Sequence, residues 1–129
     1  MGDKLEIYTA DSGAISAGSS VTINVEIGGR RRVVDIVASV QAALGTLGLD
    51  ALKGADPINY VRVRCQINTN VFLGGSAPVC IGSVAGNGRQ HGWADGLMVV
   101  NEGTAIQVTF SADVIDIARA QLSFVTVAI

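Results

Sequence analysis

The chain has 129 residues, 49% of them hydrophobic and only 16% charged, with a formal net charge of −2. One domain spanning 1–129 suits this length, because a chain of this size buries roughly two thirds of its unfolded surface. The acidic balance makes nucleic acid an unlikely partner, since such binding needs a basic footprint, and no apolar run approaches the ~18–20 residues that span a bilayer.

Residues 4–8 (KLEIY) alternate charged or polar with apolar residues, and 9–19 (TADSGAISAGS) read as a small-residue loop. Val21, Ile23, Val25 and Ile27 then alternate with Thr22, Asn24 and Glu26, the period of a half-buried strand. Gly28-Gly29 follows, and a glycine pair between strands predicts a two-residue hairpin. Folding there sets Glu26 opposite Arg31 and Ile23 opposite Val34, with apolar residues meeting on one face. The second strand is expected to run to about Val34. Val33, Ile36, Val37, Val40, Leu44 and Leu47 fall at helical spacing, with Asp35 as a cap and Gly45 as a stop. This predicts a short helix over roughly 35–44, although the β-branched run Val33–Val37 also fits continued strand.

Residues 45–57 are broken by glycines and stopped by Pro57. The next strand covers 58–68, with Val61, Val63, Cys65 and Ile67 on one side and Tyr60, Arg62, Arg64 and Gln66 on the other. Shorter apolar runs follow at Val71–Leu73 and Val79–Val84. Residues 85–96 (AGNGRQHGWADG) read as a long exposed loop. Further strands are expected at Leu97–Val100, Ile106–Ser111 and Leu122–Ile129, with a tight turn at Asn101-Glu102-Gly103. Asp113–Gln121 is either a short helix or bulged strand. Many short strands at a spacing of about ten residues point to a mainly β, antiparallel β-sandwich, jelly-roll-like, rather than a βαβ sheet.

Candidate chemistry is sparse. His91 is the only histidine, and nothing near it forms a nucleophile elbow or a cysteine-protease signature. One histidine and two separated cysteines cannot complete a four-ligand zinc site, and the aspartates lack the spacing of a calcium loop. Gly86-Asn87-Gly88 has neither the Gly-Lys-Ser/Thr of a P-loop nor a βαβ context. No enzyme activity, metal or cofactor is expected. Cys65 and Cys80 read as two small buried hydrophobes, with a single disulfide as the alternative. The candidate binding residues are Arg89, His91 and Trp93 in the long loop, the tip Arg30-Arg31-Arg32, and Ile129. Trp and Arg are enriched at binding hot spots. An apolar residue ending an alternating strand implies that this end is tied into a sheet or an interface.

Charged residues fall well below the ~25% of typical soluble domains, and lysine occurs only at Lys4 and Lys53. Either the surface is polar without charge, as in a secreted domain, or neighbouring subunits cover it, since interfaces are depleted in lysine and glutamate. The second explanation is preferred. Met1–Tyr8 lacks the apolar core of a signal peptide, so synthesis in the host cytoplasm is expected. These features together point to a self-assembling structural subunit, such as a small phage virion protein serving as capsid, decoration or head-to-tail component. Its partners would be copies of itself or other virion proteins. The competing expectation is a β-sandwich ligand-binding module, carbohydrate-binding or adhesin-like, using the 85–96 loop.

Overall fold

A computed structural model describes residues 5–43, 60–68, 70–73, 78–81, 98–101, 103–113 and 115–129. They form nine strands: β1 (Leu5–Asp11), β2 (Ser20–Glu26), β3 (Arg31–Ala42), β4 (Val61–Ile67), β5 (Asn70–Leu73), β6 (Val79–Cys80), β7 (Met98–Val100), β8 (Ala105–Ala112) and β9 (Ile117–Ala128). The protein is mainly β. Sheet A has the order β1-β9-β3-β7; sheet B has the order β2-β8-β4-β5, with β6 also on β4. Every pairing is antiparallel.

The pairings are nested. β1 pairs with β9, β2 with β8, β3 with β7, and β4 with β6. Two more, β3 with β9 and β4 with β8, complete the sheets. The chain therefore changes sheets after β1, β2, β3, β6, β7 and β8. The interior strands are β9 and β3 in sheet A and β8 and β4 in sheet B, so each sheet pairs one strand from the last part of the sequence with one from earlier.

Alternation explains the core. Along β8 the residues Ile106, Val108, Phe110 and Ala112 are buried while their neighbours are half-buried. Val61, Val63 and Cys65 of β4 and Leu122 and Phe124 of β9 are buried in the same cluster. Fully burying a side chain of this size contributes roughly 1.5–3 kcal/mol.

The structure corrects two sequence expectations. The Gly28-Gly29 hairpin does not form: β2 pairs with β8 in sheet B, whereas β3 lies in sheet A. Glu26 faces Ala105, not Arg31. Gly29 has φ +80°, so it does turn the chain, but across the two sheets. Period-2 patterning identifies the inward face of a strand and leaves its partner open, because the same apolar phase fits any neighbour.

The helix over 35–44 is also absent, since β3 continues to Ala42. Val33 pairs with Thr126 and Asp35 with Val125, leaving Val34 as an extra residue in a bulge. A bulge shifts the phase of a strand by one residue. It therefore puts Val33 and Ile36, three apart, on the same inward face, which imitates helical spacing. Asp35 caps no helix; its Oδ1 accepts from the N–H of Ile36 at 2.8 Å.

Where a tight turn is expected, Thr104 N–H donates to Asn101 O at 3.1 Å and Gly103 has φ +79°; Glu102 lies outside the described residues. Ile117–Gln121 belongs to β9, the strand alternative for that segment.

Candidate functional site

The first strand carries the most informative anomaly. In β1 the polar side chains Glu6 and Tyr8 share the inward phase of Ala10, and the apolar Leu5 and Ile7 point out. Leu5 is 62% exposed and Ile7 64%. Slipping the register by one residue would bury both.

The polar side chains are held inward by Arg31. Its side chain is only 7% exposed, and its Nη1 lies 3.7 Å from Glu6 Oε2. Its Nε donates to Thr126 Oγ1 at 2.6 Å and its Nη2 to Thr126 O at 3.4 Å. Thr126 Oγ1 in turn donates to Glu6 O at 2.9 Å. The Tyr8 hydroxyl donates to Glu6 Oε2 and accepts from Gly28 N–H at 3.3 Å. The hydrogen bond to Glu6, with some desolvation, raises the Tyr8 pKa above its ordinary value. A buried guanidinium needs such partners, so β1 turns its polar edge to the interior.

The consequence appears on the outer face of sheet A. The strand registers place its outward residues in rows. Leu5, Val127, Arg32 and Val99 form one row. Ile7, Val125 and Asp35 form the next, and Thr9, Ser123 and Val37 the third. Ile129 continues the outward phase of β9 beyond the first row, with its N–H toward Arg30 O at 3.4 Å. Leu5, Ile7, Val37, Val99 and Ile129 are the large hydrophobics exposed among the described residues, and all belong to this face.

Sheet B is the opposite. Its outer rows are Ser20, Ser111 and Arg62; Thr22, Thr109 and Arg64; and Asn24, Gln107 and Gln66. Thr22 and Thr109 are hydrogen-bonded at 3.0 Å, Arg64 donates to Gln66 at 2.6 Å, and Arg62 lies 3.9 Å from Asp113. On these rows the outer face of sheet B is polar, and that of sheet A carries the exposed large hydrophobics.

The predicted site residues separate accordingly. Arg30 is exposed, Arg31 is buried inside sheet A and Arg32 lies on its outer face. The triplet is therefore not one cationic tip. Arg62 and Arg64 lie on the other sheet's outer face and do not join it. Ile129 is exposed at the end of the apolar patch. Arg89, His91 and Trp93, with the rest of the 85–96 loop, lie outside the described residues. Leu5, Ile7 and Val99 were not singled out from sequence; the alternation in KLEIY was visible, but not which phase pointed inward.

The disulfide alternative is corrected. Cys65 and Cys80 are not joined in a disulfide: Cys65 lies in the core and Cys80, half-buried, lies beside Arg62 on the outward phase of sheet B. Burial pushes the Cys65 thiol up to about 12. Beyond the other end of the sheets, a depression is lined by Ile15, Gln41, Ala43 and Asp116. The Asp116 carboxylate already accepts from Ala17 N–H at 2.8 Å. Among the described residues no group of three or more His, Cys, Asp or Glu side chains gathers as a metal site, and no helix is long and apolar enough to cross a membrane. Comparison of the chain with protein-family models, curated proteins and solved structures gives no match.

Proposed function

We propose that the chain is a structural, self-assembling subunit, a small virion protein of the capsid, decoration or head-to-tail kind, built as a jelly-roll sandwich. The nested pairings support the architecture: a long antiparallel ribbon rolled up so that its strands fall alternately into two sheets makes a jelly roll, a form shared by viral capsid and lectin domains. This role needs no catalytic group or cofactor, and its partners are copies of the chain or other proteins of the same particle.

The observation that carries the reading is the outward apolar phase of β1. The inward phase of β1 is committed to the partners of Arg31, and a strand that leaves Leu5 and Ile7 exposed as a result presents an apolar edge suited to a neighbour. Four strands about 4.8 Å apart and about six residues long present roughly 400 Å², against ~800 Å² per partner in a standard interface. Such a face is too small to sustain a permanent dimer alone. It suits a subunit that makes several modest contacts at once.

The test is a double substitution, Leu5→Lys with Ile7→Lys, followed by size-exclusion chromatography with light scattering. Both positions are exposed, so folding stability should change by only about 0.5 kcal/mol each, while self-association should be lost. Unchanged association in the folded variant would overturn the assignment of this face.

A further inference from the structure

We infer that the occupant of the outer face of sheet A is the same face of a second copy, related by a two-fold axis that crosses the strands between the Leu5 row and the Ile7 row. This rests on the assembly reading above and goes further, because it fixes the partner and the register. A two-fold contact must be self-complementary, since each patch meets its own image.

The rows satisfy that condition on β1, β9 and β3. A rotation about this axis exchanges the two central rows. Leu5 then faces Ile7 of the second copy, and Val127 faces Val125. On β3, Arg32 faces Asp35 and Asp35 faces Arg32. These two residues occupy adjacent rows of one strand, and no ion pair joins them within the chain. The contact supplies each with an opposite charge. The same rotation exchanges the next rows outward, so Ile129 meets Ser123 with Val37 one strand away. The exposed apolar residues at the two ends of the patch thereby come together. Stacked sheets lie ~10 Å apart, the separation at which such side chains interdigitate.

The other rotation available to stacked sheets, with its axis along the strands, would keep each row on itself. Arg32 would then meet Val127 and Asp35 would meet an apolar column, leaving both charges covered and unpaired. Burying an unpaired charge is costly. A partner of different sequence would need its own matching charge pair, whereas a second copy already carries it.

The experiment uses charge exchange. Arg32→Asp places two carboxylates against each other in a homotypic contact, and Asp35→Arg places two guanidinium groups together. Each variant alone should associate at least about tenfold more weakly than wild type, because like charges facing each other repel. An equimolar mixture should recover association, since the first variant then presents only acids and the second only bases at these positions. Circular dichroism and thermal melts establish that each is folded.

A second readout does not depend on those charges. In a Cys80→Ser background, Leu5→Cys mixed with Ile7→Cys should cross-link between copies under mild oxidation faster than either alone. Variants that associate like wild type, or a mixture that recovers nothing together with no excess cross-linking, would overturn the two-fold register. If Leu5→Lys/Ile7→Lys still abolishes association in that case, the face remains an interface and only its partner arrangement is wrong.

Discussion

Arg31 decides the polarity of the first strand. A guanidinium with a 7% exposed side chain is stable only with hydrogen-bonding partners around it, and Glu6, Thr126 and, through Glu6, Tyr8 provide them. Arg31→Ala should therefore destabilise the fold by about 2 kcal/mol, the range for hydrogen bonds to a charged group. Arg30→Ala at an exposed position, and Arg32→Ala on the outer face with no partner in the core, should each cost well under 1 kcal/mol. Urea midpoints of the three variants check this, and equal effects would remove Arg31 from its assigned place. The triplet Arg30–Arg32 was conspicuous in the sequence. Which of the three goes inside was not, because a charged side chain enters a core only when distant residues wait there, and Glu6 and Thr126 belong to other strands.

Tyr8 gives the same network a pH signature. Its pKa is raised in the folded protein, chiefly by donating to Glu6. The contribution to stability is thus complete below the ordinary tyrosine pKa, about 10, and is lost as pH rises through the higher folded value. In a Tyr60→Phe background, the tyrosinate absorbance of the native protein should appear later than in unfolded chain. Earlier ionisation would contradict the hydrogen bond. Cys65 should resist thiol reagents until the protein unfolds, because burial raises its pKa to about 12 and only the thiolate reacts.

Among the elements, β3 shows how a strand can look helical. The extra residue at Val34 changes the phase, so Val33 and Ile36 both reach the core while Val37 is 49% exposed. A helix would place Ile36, Val37 and Val40 on one face. The two readings separate by mutation: Ile36→Ala should cost about 2–4 kcal/mol, as for buried aliphatic truncation, and Val37→Ala well under 1 kcal/mol. Comparable losses at both positions would favour the helix. Strands without bulges were readable from alternation: β2, β4 and β8 lie close to where the sequence placed them. The Gly28-Gly29 hairpin failed for a different reason. Its apolar phase held on β2, but on β3 the bulge at Val34 turns Arg31 and Val33 inward, and the partner of β2 comes from residues 105–112, beyond the reach of local reasoning.

For the whole molecule, a mainly β fold with two antiparallel sheets was legible in the spacing of apolar runs, and the nesting of strands was not. Scarcity of charge raised the expectation of a covered surface, without saying which. The exposed large hydrophobics lie on the outer face of sheet A, which is why the proposed interface is placed on Leu5, Ile7, Val99, Val125 and Val127. That placement depends on which residue of each alternating pair points inward, and Arg31 sets the answer for β1. The most direct test of a covered outer face is the molar mass of the unmodified chain, followed by light scattering over a wide concentration series. A mass that climbs above 13.2 kDa as concentration increases is the expected result. A mass fixed at that of one chain up to the solubility limit would contradict it.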